Sequence, residues 1–167
     1  MWVDPVAHAG EVARFWAKVV KGPGPRDCWL WVGAIGDDGY GRFWINRGDG
    51  ARRVVRPNRY AIAAALGVVL GADEVAEHEV CDNPICVRAE LDPFTGHLWP
   101  STQAANMARM VQRRRGGGPW WHYRWTSTDR ASLAARSRAQ REAVRAGWNA
   151  DALAEAQQPG RPEERLF

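Results

Sequence analysis

The chain has 167 residues, 46% of them hydrophobic, which suits one packed domain or one domain with a tail. Its net charge is +4 and its pI about 9.3, and the excess is nearly all arginine, since Lys18 and Lys21 are its lysines. No apolar run approaches the roughly 18 residues of a membrane span, and the N-terminus lacks a basic stretch followed by an apolar run, so neither a membrane partner nor a secretory signal is expected.

Val12, Phe15, Trp16, Val19 and Val20 recur at helical spacing and predict an amphipathic helix over residues 9–20, ended by Gly22-Pro-Gly-Pro25. Residues 28–35 and 40–46 read as two strands of a hairpin joined by Gly36-Asp-Asp-Gly39. Within the first strand, alternation puts Trp29 and Trp31 on one face, as core. A third β segment, residues 52–56, follows the turn at Arg47-Gly-Asp-Gly50. Pro57 suits the first turn of a helix that runs to about Leu66, with Gly67 just past its end. Residues 75–80 read as a strand carrying His78. Ser101 or Thr102 caps a helix to about Arg114, with Asn106 in its second turn. Gly116-Gly-Gly-Pro119 marks a boundary between a core, 1–115, and a tail, 119–167. The tail reads as a long helix over about 128–146, then Gly147, then a shorter helix that Asn149 caps. Mixed helices and strands of this kind make an α+β fold.

Three cysteines cannot pair completely, which points to a reducing compartment, the cytoplasm, and to metal-bound thiols. Cys81 and Cys86 enclose Asp-Asn-Pro-Ile, the spacing of a two-ligand knuckle turned by Asn83-Pro84. His97 follows across a polar loop that can fold back, and Cys28 can complete a tetrahedral structural zinc site of three cysteines and one histidine. The competing reading is three buried free cysteines and a packing histidine. The polar setting of the knuckle and a total of four ligands favour zinc. His78 and Asn106 flank the site without being needed to complete it.

The run His78…Cys81-Asp-Asn-Pro-Ile-Cys86-Val…Gly96-His97-Leu98…Thr102-Gln…Asn106-Met107 resembles an HNH endonuclease of the His-Cys box type, a ββα-metal nuclease, and the small HNH proteins of bacteriophage genomes. Cys28-Trp-Leu-Trp31-Val-Gly33, Gly39-Tyr-Gly-Arg42-Phe and Arg56-Pro-Asn-Arg59-Tyr are similar to that group's lead-in, so the resemblance covers roughly residues 14–115. It implies a small zinc-stabilised ββα-metal core preceded by a β-hairpin and followed by a basic helical tail. It also implies that His78 deprotonates the attacking water and that the side-chain oxygen of Asn106 binds a catalytic Mg²⁺ or Mn²⁺. Cys28, Cys81, Cys86 and His97 match the group's zinc ligands. The spacing departs from the family pattern in two places: two residues separate His78 from Cys81, and the loop to His97 is long.

The implied chemistry is self-consistent. Hydrolysing a phosphodiester needs a deprotonated water, neutralised charge at phosphorus and help for the departing oxygen. Histidine titrates near neutrality, and one hard cation can serve both oxygens. The expected partner is double-stranded DNA, bound by a monomer or homodimer. If phage-encoded, the protein would act in the cytoplasm of the bacterial host. Alternatives are a catalytically silent zinc-containing DNA-binding protein and a packaging accessory that needs a partner.

The arginines supply candidate contacts to DNA. Arg42 and Arg47 lie on the hairpin, and Arg52, Arg53 and Arg56 on the following β segment, where Arg53 or Arg56 could steady the scissile phosphate. Residues 113–147 hold nine arginines against Asp129 and Glu142, a balance of +7 that includes Arg113, Arg114, Arg115, Arg138 and Arg141. The tail is compatible with a helix-turn-helix and equally with a basic helix lying along phosphates. Trp120, Trp121 and Trp125 could stack on nucleic acid, but such a cluster more often fastens a tail to its own domain. Read as a tail, residues 119–167 should be removable after Gly118 without unfolding the core.

Overall fold

The computed structural model describes residues 1–48, 50, 52–112 and 130–157. Helix α1 (Ala9–Trp16) is shorter than its apolar periodicity predicts, because Val19 and Val20 leave it for strand β1 (Val19–Lys21). Both are β-branched, and both find partners in strand β2 (Trp29–Trp31), with Val19 opposite Trp31 and Val20 opposite Leu30. The expected strand over 28–35 therefore divides. Its first half joins β1, and its second half, β3 (Ala34–Ile35), pairs with β4 (Gly41–Asn46) in the predicted hairpin. The hairpin turn closes through the Gly36 N–H, which donates to the Tyr40 carbonyl at 2.9 Å, and Gly39 takes a φ of +77° that favours glycine.

Strand β5 (Arg52–Val55) pairs with β4 from Phe43↔Val55 to Asn46↔Arg52. Helix α2 (Pro57–Leu66) starts on its proline and ends on Gly67 at φ +65°, as the sequence predicts. Strand β6 (Glu74–His78) pairs antiparallel with β7 (Leu98–Thr102), from Glu74↔Thr102 to His78↔Leu98. Thr102 Oγ1 then accepts the Ala105 N–H at 3.2 Å and starts helix α3 (Gln103–Gln112). A strand–strand–helix unit results, with the cysteine knuckle in the connection between its strands.

The core is aromatic and drawn from four elements. Phe15 of α1 stacks on Trp31 of β2 at 5.3 Å and lies 4.6 Å from Tyr60 of α2, while Phe43 of β4 meets Tyr60 edge-on at 4.9 Å. Such pairs contribute about 0.5–1.5 kcal/mol each beyond the area they bury. Trp31 is fully buried; Trp29, on the same strand face, is half-buried under Lys21 Nζ at 4.0 Å from its ring centre. No described helix is long and apolar enough to cross a membrane.

Residues 119–167 read as a removable tail, but the described part of them belongs to the same core. Helix α4 (Arg130–Val144) buries Ala134, Ser137, Gln140 and Val144, one face of the helix. Val144, together with Leu153 of helix α5 (Ala150–Gln157), sits in one hydrophobic cluster with Leu30 and Trp31. Gly39 lets α4 come close: a Cβ there would lie 2.9 Å from Leu133 Cγ and 3.1 Å from its backbone. Asn149 Oδ1 caps α5 by accepting the Ala152 N–H at 3.0 Å, as predicted. Arg113, Arg114, Arg115, Trp120, Trp121 and Trp125 lie outside the described residues.

Truncation after Gly118 removes Val144 and Leu153 from the cluster, so the truncate is expected to be insoluble or molten. Val144→Ala in the full chain should cost about 2 kcal/mol in urea unfolding. A truncate that unfolds cooperatively at the full-length midpoint would show that the helices only rest on a complete core.

Candidate metal centre and adjoining cleft

Three separate parts of the chain supply one cluster. Cys28 comes from the end of the β1–β2 loop, Cys81 and Cys86 from the knuckle after β6, and His97 from the residue before β7. Their ligand atoms all lie within 4.8 Å of one another, and Cys86 and His97 are buried. Local hydrogen bonds set the turn: Asn83 Oδ1 accepts the Ile85 N–H at 3.1 Å, and the Asn83 carbonyl accepts the Cys86 N–H at 3.0 Å. Residues 85–87 then run alongside β2, with Trp31 N–H donating to Ile85 O and Val87 N–H to Trp29 O, which carries Cys86 to Cys28. The Arg88 carbonyl accepts the His97 N–H at 2.9 Å and folds the long loop back.

The spacing fits a tetrahedral metal ion. His97 Nδ1 lies 3.7 Å from Cys28 Sγ and 3.6 Å from Cys86 Sγ. Bonds of about 2.3 Å to sulfur and about 2.0 Å to nitrogen would place those atoms about 3.6 Å apart around zinc. The group can therefore hold a metal ion such as zinc, on the four residues the sequence singles out.

The three thiols titrate together. Cys28 and Cys86 stabilise the Cys81 thiolate and hold its pKa far below the ordinary value. Its proximity to Cys81 pushes Cys28 up to about 12, and burial pushes Cys86 well above its usual range. One thiolate beside two neutral thiols is the state the cluster itself favours, so a divalent ion must displace the remaining protons.

Strand β6 leads from this cluster to a cleft of about 460 Å³. Asn106 of α3 lines it, with Gln103, Glu74, Val75 and Ala76 on the β6–α3 side and Tyr40, Arg56, Asn58 and Arg59 on the other. His78 is not among the lining residues. It stands at the far end of β6, its Nδ1 3.7 Å from Cys81 Sγ. By strand alternation, His78 shares a face with Ala76, which does line the cleft.

The candidate arginines separate by environment. Arg56 lines the cleft, pairs with Asp38 at 3.1 Å and lies 4.1 Å over the Tyr40 ring. Arg42 pairs with the same carboxylate at 2.8 Å, while Arg52 lies 4.5 Å over the exposed Trp44. Arg53 is exposed and pairs across the sheet with Ile45. Arg47 is committed internally, to Glu11 at 2.8 Å and to the Trp2 carbonyl, which ties β4 to the N-terminus. Arg138 reaches Asp37 at 3.3 Å and Arg141 reaches Gly33 O at 3.4 Å, so both help hold α4 in place.

Three further residues emerge from the structure alone. Glu74 adds a carboxylate to the cleft, one oxygen of which accepts the Gly71 N–H at 2.6 Å. Glu77 is buried and meets Arg109 of α3 at 2.9 Å; Arg109 also reaches Glu79 at 2.7 Å, which joins the helix to β6. Arg88 is buried and donates to Gly24 O and Asp27 O at 2.9 and 2.7 Å, bracing the loop before Cys28. Its position directly beyond Cys86-Val87 is the one sequence signal, and it is a weak one.

No protein-family model and no solved structure matches the chain. Over 89 residues, 53% of its length, the chain is 30% identical to Protein 7.7 of Escherichia phage T7. That alignment spans 58% of the phage protein.

Zinc is expected at one tightly held ion per chain, lost together with the fold in Cys86→Ala, since binding such an ion is worth about 10–16 kcal/mol in small zinc domains. His97→Ala should be damaged in the same way. Soluble, folded wild type without zinc by metal analysis would refute this. Because thiols with raised pKa values enter protonated, affinity should rise with pH below those values. Loading should release about two protons near pH 7, and competition with a chromophoric chelator should show affinity rising about 100-fold per pH unit. A pH-independent affinity between pH 6 and about 8 would contradict that assignment.

Proposed function

We propose that this protein is a zinc-stabilised, metal-dependent endonuclease of the ββα-metal type, hydrolysing phosphodiester bonds of double-stranded DNA in the cytoplasm of a bacterial host. The observation that supports the proposal is that Cys81, Cys86 and His97 lie in the connection of a strand–strand–helix unit and are joined there by Cys28 from the β1–β2 loop, with His78 on the first strand and Asn106 on the helix. The similarity to a phage protein is consistent with a phage setting.

His78 is the general base. Its Nδ1 lies 3.7 Å from Cys81 Sγ, at the edge of the cluster, and its imidazole is the group assigned to take the proton from the attacking water. Asn106 and Glu74 place oxygen donors in one cleft, which suits a hard divalent ion better than a lone neutral amide would. When bound, Mg²⁺ or Mn²⁺ supplies charge neutralisation at the phosphate and at the leaving oxygen. Arg56, with Arg59 beside it, is the arginine placed to hold a phosphate in the cleft. Ala76, which lines the cleft, and His78 are two residues apart on one strand face, about 7 Å.

Plasmid nicking tests the proposal. Wild type should nick supercoiled DNA with Mg²⁺ or Mn²⁺. His78→Ala should cut about 10²–10⁴-fold more slowly while keeping its zinc and its affinity for DNA. Asn106→Ala should lose activity and fail to recover it with either metal. Zinc-loaded wild type that nicks with neither metal sinks the enzyme reading, and a His78→Ala protein that loses zinc makes His78 a ligand instead. Activity that returns only with a second protein would favour the packaging accessory.

A further inference from the structure

A second concentration of positive charge lies outside the Asn106 cleft, where Arg14 and Lys18 of the α1 end come beside β4. Alternation in β4 buries Phe43 and Ile45 and leaves Arg42 and Trp44 outside, with Trp44 44% exposed. Arg52 lies across that indole at 4.5 Å. Arg14 reaches over from α1, donates to the Trp44 carbonyl at 2.6 Å and lies 5.1 Å from the Phe43 ring centre. Lys18 and Arg42 complete a shallow pocket of about 140 Å³. Among the described residues, no carboxylate pairs with Arg14, Lys18 or Arg52.

Of the four cations that line this pocket, Arg42 is paired with Asp38 and Arg14 is anchored on the Trp44 carbonyl, whereas Lys18 and Arg52 have no carboxylate partner among the described residues and Arg52 rests on the exposed indole. Like charges repel, and the acid beside them, Asp38, is shared between Arg42 and Arg56. Arginines held on aromatic rings are oriented in advance and keep their full charge. We infer that this patch binds a single strand of nucleic acid, with Arg14, Lys18 and Arg52 on its phosphates and Trp44 stacked on an unpaired base. Duplex bases are stacked on each other and offer no face to an indole, so the ligand is an unpaired strand. Because Asp38 joins Arg42 of the patch to Arg56 of the cleft, the two sites adjoin, and a strand held in one leads to the other. The identity of the ligand rests on the DNA reading above; the arrangement of cations and ring does not.

The test is binding of a labelled oligothymidylate of about 12 nucleotides, followed by fluorescence anisotropy on full-length His78→Ala protein without added Mg²⁺ or Mn²⁺. Adding Trp44→Ala should weaken binding about tenfold or more, and Trp44→Phe should keep most of it. Lys18→Glu and Arg52→Glu should each lower the log–log salt slope by at least about 0.7. Zinc content and circular dichroism establish that each variant is folded. A folded Trp44→Ala protein that binds like its parent overturns the inference, as does one that loses duplex and single strand equally. Loss of salt dependence with Trp44→Ala unaffected would also overturn it, since an acidic peptide needs the cations and not the ring. Wild type that never nicks yet binds the strand through Trp44 leaves the patch standing and removes the nuclease. Normal nicking with unaffected binding in every patch variant removes only the patch.

Discussion

The molecule's middle has little regular structure, and the Cys28–Cys81–Cys86–His97 cluster is the constraint on which its shape depends. Between β6 and β7 the chain runs from residue 79 to residue 97 without a described helix or strand of its own. A loop of that length is uncommon in a compact domain unless something fastens it. Here four ligand atoms within 4.8 Å join the loop to β2 and to the start of β7. Residues 85–87 add hydrogen bonds to β2, and the buried Arg88 guanidinium ties the same loop to Gly24 and Asp27. Releasing the cluster would leave Arg88 a buried cation with loosened partners, a costly arrangement. The same fastening puts His78 at the edge of the cluster and fixes the end of β6 against β7, on which α3 and Asn106 are mounted.

The rest of the chain builds a support for that centre. Phe15, Trp31, Phe43 and Tyr60 interlock α1, β2, β4 and α2, and α4 and α5 join the same core through Val144 and Leu153. Positive charge is distributed over this framework unevenly. Arg47, Arg88, Arg109, Arg138 and Arg141 brace parts of the fold. Arg56, paired with Asp38, and Arg59, bonded to the Gly71 carbonyl, line the cleft, and Arg14, bonded to the Trp44 carbonyl, lies with Lys18 and Arg52 at exposed positions of the second pocket. Basic composition alone could not distinguish these classes, since an arginine's use depends on the carboxylates and carbonyls that folding brings near it.

What was legible in the sequence was chemistry carried by rare residue types and by strong punctuation. Cysteine and histidine at knuckle spacing pointed to the cluster, including Cys28 from more than fifty residues away, because few other partners were available. Pro57 and Gly67 marked both ends of α2, and Thr102 and Asn149 marked two helix starts, since caps act locally. Pairing was not legible. Val19 and Val20 fit a helical stripe and a strand equally well, and only the partner Trp29–Trp31 decides between them. The docking of α4 was hidden for a similar reason: the face it buries holds alanine, serine and glutamine as well as valine, so it carries little apolar signal. Glu74 was missed because a carboxylate becomes part of a cleft only once β6, α2 and α3 have been brought together.

The account turns on the identity of the four ligands, and X-ray absorption at the zinc edge of the purified full-length protein tests it most directly. Three sulfurs at about 2.3 Å and one imidazole nitrogen at about 2.0 Å are predicted, unchanged in His78→Ala. A shell of two sulfurs and two nitrogens that loses a nitrogen in His78→Ala would contradict the account, because it would place His78 on the structural metal and leave the proposed chemistry without its base.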